Sequence, residues 1–318
     1  MTKIKLRCYY ILFILLLFTT SVHAAFDDIG VGARPLGLGG AFVALADDSN
    51  ASNYNAGGLA YIEEIQIGAT YAQRFNGLVN YNTIGGIIPL GRVGTLGANI
   101  GILSEDSDIY QEQTLRFSYG NTIFKQLGVG VNLKLFGIAF DEENEFVAEN
   151  PYFTQTSSSG VLFDFGLLAK PINSLNIGIS VENLASADIS VSDAHTDSIP
   201  LNIRAGIVYR LESIAEMSAQ GAAISNLLKM TLGTVEVASR NGAIYARTGV
   251  EIWLNRTIAI RGGYGMKNGG NPATTLSLGG SAKLPISSTA LQLDYGFQFL
   301  TGDLQDNTTQ RFSVNLLF

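Results

Sequence analysis

The sequence predicts an all-β fold, a transmembrane antiparallel β-barrel of about 14 strands. Three observations lead to this prediction: an export signal at the N-terminus, a long series of segments in which apolar and polar residues alternate, and connections that alternate between short and long. The composition agrees, because 36 Gly, 13 Tyr and 17 Phe accompany only 15% charged residues. After the export signal, no apolar run approaches the length of a membrane-spanning helix.

Residues 1–24 are predicted to be a secretory signal peptide. Three basic residues precede an apolar run at 9–18, and Val22-His23-Ala24 supplies the small residues of a cleavage site. An uncleaved N-terminal anchor is the alternative, but the apolar run is short for a spanning helix. Removal of the signal takes away Cys8, the one Cys of the chain. The exported protein would then have no disulfide, Cys nucleophile or Cys metal site.

Alternation with a period of two dominates the chain from about residue 65 onward. In the stretch LQLDYGFQF (291–299), the odd-numbered positions are apolar and the even-numbered ones are polar or Gly. This period is typical of a β-strand with two different faces. Similar segments, most of them 9–12 residues long, lie near 65–73, 80–88, 93–103, 112–120, 127–140, 159–170, 175–184, 201–210, 229–238, 243–254, 257–264, 273–284, 290–300 and 310–318.

Strands of this length, when tilted, cross the apolar core of a bilayer. Lipid then solvates the apolar faces, and closure of the barrel pairs every strand edge. A secreted β-sandwich or propeller also alternates and is the soluble alternative. That alternative does not require an apolar face on every strand.

The connections favour an outer-membrane barrel. Those after even-numbered segments are short, whereas several after odd-numbered ones are long and polar, such as 141–159 and 185–200. Bacterial outer-membrane barrels have short periplasmic turns and longer external loops. One connection breaks the pattern: 211–229 has apolar residues at i, i+3 and i+4 and predicts a short or broken amphipathic periplasmic helix.

The last strand ends on an aromatic residue. Apolar residues alternate from Phe312 to Phe318, the final residue of the chain. A terminal aromatic on such a strand resembles the assembly signal read by the outer-membrane barrel assembly machinery. We therefore expect that machinery and outer-membrane lipid as partners, and the bacterial outer membrane as the location.

Residues 32–60, GARPLGLGGAFVALADDSNASNYNAGGLA, resemble the N-terminal signature of PorV/PorQ-type proteins in the FadL-like outer-membrane barrel superfamily. That signature comprises Gly-Ala-Arg, a Gly-x-Gly-Gly-Ala-Phe turn, an Asp-Asp pair and Tyr/Trp-Asn-Pro-Ala-Gly-Leu-Ala. This chain departs from it at Asn55-Ala56-Gly57-Gly58, where the family has Asn-Pro-Ala-Gly. The rigid Pro is lost and a Gly is gained, so a looser local kink is expected.

The resemblance implies a role for this stretch, because FadL-type barrels fold the segment before the first strand into the lumen as a hatch. Residues 25–63 are then the plug and 64–318 the barrel, and a folding cap at the periplasmic end is the alternative. The candidate plug residues are Asp47, Asp48, Asn53, Asn55, Gly57 and Gly58. The candidate lumen-facing residues are Arg204, Arg247, Glu251, Arg261 and Asp294. We expect the polar plug residues to face the three arginines of the wall.

Signs of catalysis are weak. His195, the one His outside the predicted signal, lies in the polar loop SDAHTDS, and the Gly-rich stretch at 32–40 lacks the Lys-Ser/Thr of a nucleotide loop. The formal net charge of −7 argues against nucleic acid as a partner. We expect a non-enzymatic protein without a cofactor or a metal.

Two functions remain open at this point. The first is FadL-like passage of hydrophobic small molecules, with the aromatic-containing stretch 144–153 as an apolar patch at the mouth. The second is a component of the type IX secretion system that binds and shuttles secreted cargo proteins, as PorV-like members do. A structural barrel with neither activity is a third possibility.

Overall fold

The computed structural model describes residues 29–105, 107, 109–185, 187–192, 196–217, 221–269, 272–302 and 307–318. Fourteen strands form one closed antiparallel barrel in which each strand pairs with its neighbours in the chain and β14 pairs with β1. The predicted fold class is therefore confirmed. The strands are β1 Gln66–Arg74, β2 Val79–Pro89, β3 Thr95–Glu105, β4 Tyr110–Phe124, β5 Leu127–Phe140, β6 Ser157–Ile172, β7 Leu175–Glu182, β8 Asn202–Arg210, β9 Thr231–Arg240, β10 Ala243–Trp253, β11 Ile258–Asn268, β12 Ala273–Ile286, β13 Thr289–Gly302 and β14 Thr308–Leu317.

Alternation in the sequence becomes alternation between the two faces of the wall. On β5, Leu133 and Leu135 are exposed on the outside, whereas Asn132 and Lys134 are buried in the lumen. Successive side chains of a strand point to opposite faces, so a strict period of two assigns a whole strand at once. Large apolar side chains thus lie mainly on the outer face, and the charged side chains of the strands lie mainly on the inner face.

The two ends of the barrel differ. At the turn side, tight connections join most even-numbered strands to the next strand. Examples are 125–126, 173–174 and 287–288. At the loop side lie the longer connections 141–156 and 183–201. A one-turn helix, α3 (Glu145–Ala148), lies in the first of these loops, and the Asn144 side chain caps it by accepting a bond from Phe146 N.

The exception at the turn side is the connection between β8 and β9. It contains two helices, α4 (Glu212–Met217) and α5 (Ala222–Lys229). Ile214, Ile224 and Leu227 on these helices are exposed. Among the described residues, no helix is both long and apolar enough to cross a membrane.

Residues 29–62, here called the luminal segment, fill much of the barrel interior. The segment contains α1 (Ala33–Gly37), α2 (Ala51–Tyr54) and the 3₁₀ helix Ala56–Tyr61. Its apolar side chains pack on inward-facing wall residues and form a core inside the lumen. This core contains Leu38, Phe42, Val43, Ala44, Leu45, Tyr54, Leu168, Val208 and Leu232.

The wall meets the luminal segment at a belt of inward-facing glycines. A Cβ atom built at any of them would lie only 2.1 to 3.0 Å from an atom of the segment, which is closer than real Cβ atoms approach. Glycine is therefore needed where the two backbones touch. This glycine belt consists of Gly120, Gly128, Gly130, Gly166, Gly178, Gly206, Gly249, Gly263, Gly279 and Gly296.

Two adjacent glycines of β11 allow a direct test of the belt. A Cβ at Gly263 would lie 2.1 Å from Gly39 N, whereas a Cβ at Gly262 would meet nothing within 4 Å. We expect Gly263→Val to displace the luminal segment and to lower stability by about 1–3 kcal/mol, the usual range for overpacking. Gly262→Val is the matched control and is expected to retain native behaviour.

The measurement is single-channel conductance in planar bilayers, combined with heat-dependent gel mobility to verify the barrel. Gly263→Val is expected to open long-lived conducting states that the wild type and Gly262→Val lack. Equal conductance of all three folded proteins would contradict the proposed role of the glycine belt.

Candidate functional site

One buried arginine ties the luminal segment to the wall. Helix α1 carries Arg34, whose Nε donates to Glu251 Oε2 (2.8 Å) and whose Nη2 donates to Glu251 Oε1 (2.9 Å). Its Nη1 donates to Asp47 Oδ1 (2.6 Å) and to Asp48 Oδ2 (2.9 Å) within the segment. Arg261 of the next strand also donates to Glu251 Oε2 (2.6 Å). One guanidinium thus joins the start and the middle of the luminal segment to β10.

The charge of Arg34 is stabilised by its neighbours. Burial alone would lower the pKa of Arg34, but the carboxylates of Asp47, Glu251 and Asp48 together raise that pKa well above its ordinary value. The guanidinium therefore stays charged in the lumen. Fork-shaped bonds between guanidinium and carboxylate groups are among the stronger hydrogen bonds in proteins.

Glu236 of β9 is a second anchor of the luminal segment. Its Oε2 accepts bonds from the backbone N–H groups of Phe42 (3.0 Å) and Val43 (2.9 Å). Its Oε1 accepts bonds from Arg204 Nη1 (3.1 Å) and Arg247 Nη1 (2.8 Å). One carboxylate thus connects the backbone of the segment to the cations of the wall.

Sequence reasoning missed both Arg34 and Glu236. Arg34 belongs to the N-terminal signature but was assigned no role there, and Glu236 lies in the predicted strand 229–238 without being singled out. The strand register supplies the missing signal, because β9 and β10 place Glu236 directly opposite Arg247. Opposite charges at facing positions of two strands attract each other.

All five candidate lumen-facing residues point into the barrel. Arg204, Glu251, Arg261 and Asp294 are buried, and Arg247 is largely so. Arg261 Nη1 also donates to Asp294 Oδ1 at 3.4 Å.

The expected pairing of the plug carboxylates with these wall arginines is wrong. Asp47 and Asp48 bind Arg34 of their own segment. The wall arginines instead bind wall carboxylates: Arg204 pairs with Glu182 and Glu236. The physical reason is proximity, because the register of neighbouring strands holds the wall charges within reach of one another.

The remaining plug candidates contact both the segment and the wall. Arg116 Nη1 donates to Asn53 Oδ1. Asn55 Nδ2 donates to Val43 O (2.8 Å) and to Leu167 O (2.8 Å).

Asn55 also organises the glycines that follow it. Its Oδ1 accepts a bond from Gly57 N (3.0 Å) and caps the 3₁₀ helix. A Cβ at Gly57 would lie 2.8 Å from Leu168 N, and one at Gly58 would lie 2.1 Å from Ala46 O. Both glycines are therefore required for close backbone approach, one to the wall and one within the segment.

The loop side of the luminal segment borders a basic chamber of about 270 Å³. Its position follows from its lining, because Arg74 ends β1 and Lys267 lies near the end of β11. Aromatic side chains, among them Phe75 and Tyr245, also line it. The cations of the lining are Arg74, Arg204, Arg247, Lys267 and Arg311, and the described lining contains no carboxylate.

A second, smaller cavity adjoins the basic chamber. It has a volume of about 120 Å³, and both cavities are lined by Ile29 and Gly30. Its lining mixes cations and carboxylates, including Arg116 and Glu112. The start of the luminal segment thus lies between the two compartments.

A loop covers part of the mouth above the smaller cavity. Ile189 and Ile199 of the β7–β8 loop are buried against the inward-facing residues Phe136, Ile138 and Leu162. The loop also pairs with residues near β6, since Thr154 N donates to Val191 O (2.9 Å). The lumen therefore has a floor made by the luminal segment and a partial roof made by a loop.

In the part of the chain that the structure describes, no cluster of three or more potential metal ligands occurs. His195 and the predicted signal peptide lie outside the described residues.

Solved structures with the same architecture include a Pseudomonas aeruginosa FadL homologue (10% identity over 93% of this chain and 99% of that one, TM-score 0.63). They also include the CymD monoaromatic hydrocarbon channel (13% identity over 92% of this chain and 98% of that one, TM-score 0.61). A third is the Pseudomonas putida toluene transporter TodX (10% identity over 92% of this chain and 98% of that one, TM-score 0.59). No protein-family model and no curated protein matches the sequence. At these identities the likeness shows a common fold, which in this chain is the closed barrel of 14 strands.

The Arg34–Glu251 pair can be tested by a double-mutant cycle. We expect Arg34→Met to lower the free energy of unfolding by about 3–5 kcal/mol, because it leaves buried carboxylates without a partner. Glu251→Gln is expected to cost less, and the double variant to show a coupling energy of about 0.5–3 kcal/mol. The measurement is denaturant unfolding of the refolded barrel in detergent.

Arg92→Met, at an exposed turn, is the control and is expected to leave stability unchanged. Strict additivity of Arg34→Met and Glu251→Gln would show that the pair does not hold the segment in place.

Proposed function

We propose that this protein is an outer-membrane barrel that admits hydrophobic small molecules from the loop side, with the luminal segment as its gate. One observation carries the proposal: a ligand-sized chamber opens toward the loops and is floored by a segment that fills the lumen. Solved proteins of similar fold, which are described as a monoaromatic hydrocarbon channel and a toluene transporter, support this proposal.

The outward face of the wall supports membrane insertion. Outward-facing residues such as Val131, Phe163 and Leu278 are exposed apolar side chains, which a lipid environment would solvate. Phe318 is exposed at the end of the last strand, and its N–H donates to Ile65 O (2.9 Å). These features fit assembly by the outer-membrane barrel machinery after removal of the signal peptide.

The pairing of the wall determines where a ligand would travel. The ladders β1–β2, β2–β3 and β3–β4 run without a register shift. No gap therefore opens between these strands, and the route that we propose from the loop side to the periplasm passes the luminal segment. Movement of the segment would break buried ion pairs, which makes it a gate with a substantial barrier.

The chemistry of the chamber favours a ligand with an anionic group. Five cations and several aromatic or apolar side chains line it. Arg204 and Arg247 share the carboxylate of Glu236 beneath them, so their charge is partly balanced. Lys267 and Arg74 lie nearer the mouth, where they would meet an incoming carboxylate or phosphate first.

A second function, cargo binding and shuttling in type IX secretion, is favoured by one observation. Helices α4 and α5 protrude at the turn side with Ile214, Ile224 and Leu227 exposed. Exposed apolar residues grouped in this way are typical of protein-binding surfaces. The PorV/PorQ-like sequence signature agrees with this alternative.

The transport proposal is tested by uptake of radiolabelled decanoate and of neutral toluene into cells that carry or lack the gene. We expect deletion to reduce decanoate uptake. The double variant Arg74→Gln/Lys267→Gln is expected to reduce it about tenfold, a loss of roughly 1.4 kcal/mol, with little effect on toluene. Lys229→Gln, on the turn side, is the matched control.

Unchanged uptake of both compounds after gene deletion would refute the transport role. Loss of both compounds in the double variant would refute the anionic preference while leaving transport in place.

The secretion alternative is tested by gentle detergent purification of the native protein, followed by mass spectrometry of bound proteins. If it holds, secreted proteins co-purify in stoichiometric amounts, and Ile224→Gln/Leu227→Gln reduces their recovery. Leu278→Gln, on the lipid-facing wall, is the control. A barrel without co-purifying secreted proteins would exclude this function.

A further inference from the structure

A groove runs along the outer face of the wall at the loop side. It has a volume of about 700 Å³ and lies across β4, β5 and β6. The groove is formed because the outward-facing residues of β5 and β6 are small there. We call this feature the outer groove and define it by the outward-facing residues Gln111, Gln113, Gly137, Ala139, Ser157 and Ser159.

The outer groove is polar but uncharged. Carboxamide and hydroxyl groups line its upper part, and Ile100, Leu115 and Leu135 line its lower edge. None of the described lining residues is ionisable. Gln113 Nε2 donates to Gln111 Oε1 (2.9 Å), so the two amides lie side by side on β4 and still have further donors and acceptors.

The outer groove begins where the apolar outer face ends. Along β5, the outward positions are Val131, Leu133 and Leu135 and then change to Gly137 and Ala139. The register places Gln113 and Ser159 on either side of Gly137. In a bilayer, this transition from apolar to polar marks the boundary between acyl chains and head groups.

Two exposed aromatic side chains stand on the loop that joins the two strands of the groove floor. Phe146 is 82% exposed and Tyr152 is 74% exposed. Both rings are therefore open to a partner on the loop side. Flat aromatic faces pack well against the C–H faces of sugar rings, while amides and hydroxyls bind sugar hydroxyls.

From this combination we infer that the outer groove binds the saccharide part of a glycolipid in the outer leaflet. Acyl chains would lie on Leu115 and Leu135, and sugar rings would lie against the amides and serines above them. A phosphate group is not the feature recognised, because no cation lines the groove. The inference rests on the outer-membrane placement in the proposed function, but not on transport through the lumen.

The test uses the full-length protein in nanodiscs made from phosphatidylethanolamine and lipopolysaccharide. Bound lipopolysaccharide is counted by native mass spectrometry after the disc lipid is stripped with detergent. Gly137→Trp fills the groove, and the position has room, since a Cβ there meets its nearest atom, Ser158 O, at 3.4 Å. Gly262→Trp, on the outer face of β11 with open space around it, is the matched control.

We expect the wild type and Gly262→Trp to retain lipopolysaccharide and Gly137→Trp to retain about tenfold less. Gln111→Leu/Gln113→Leu removes only polarity and is expected to show a similar loss, which covers the case in which Gly137→Trp fails to fold. Equal retention by all folded variants, or no retention by the wild type, would overturn the inference.

Two further arms separate the outcomes. The glycolipid assignment would be overturned if the delipidated polysaccharide bound as tightly as whole lipopolysaccharide. It would also be overturned if, in discs without lipopolysaccharide, two copies of this chain formed a dimer through the groove. Uptake of decanoate by Gly137→Trp is expected to equal that of the wild type. If the proteins retain lipopolysaccharide as expected but none of them transports decanoate, only the proposed function is refuted.

Discussion

The luminal segment touches the barrel wall along a belt of glycines, and the organisation of the lumen depends on this close approach. Where two backbones meet, there is no space for a side chain, so the wall at Gly130 or Gly263 must present bare backbone. The contact also allows short hydrogen bonds between segment and wall, such as the bond from Asn55 Nδ2 to Leu167 O (2.8 Å). A barrel with larger residues at these positions would leave the same segment outside.

The buried charges of the lumen are neutralised both within the wall and between the wall and the luminal segment. Wall charges pair with partners on neighbouring strands, as Arg261 does with Glu251. The segment contributes Arg34 to the same cluster, together with its own carboxylates. Because removal of one partner leaves the others buried and uncompensated, the cluster acts as a unit. The same contacts fix the segment at two points, because Arg34 binds Glu251 while the backbone of Phe42 and Val43 binds Glu236.

At the loop side of the barrel, the inner surface of the wall lines a cavity and the outer surface forms the outer groove. Inside, the smaller cavity has a lining of mixed charge and is partly roofed by the β7–β8 loop. Outside, the groove is neutral and polar and begins at the upper edge of the apolar wall. Both surfaces arise on the same strands, since alternate residues of β4 and β5 face opposite ways. A shift of the strand register by one residue would turn the inward-facing side chains outward and the outward-facing ones inward.

The sequence by itself determined the strand series, the face on which each residue lies and the inward orientation of candidates such as Arg204 and Asp294. These properties are local, because a period of two is visible within about ten residues. The tertiary structure decided the partners: Arg34 and Glu251 are 217 residues apart, and Asp47 binds Arg34 rather than a wall arginine. Glu236 gained its role in the same way, through strand register. Neither the basic chamber nor the outer groove could be predicted, since each is a space enclosed by residues from distant parts of the chain and exists only after closure sets their distances.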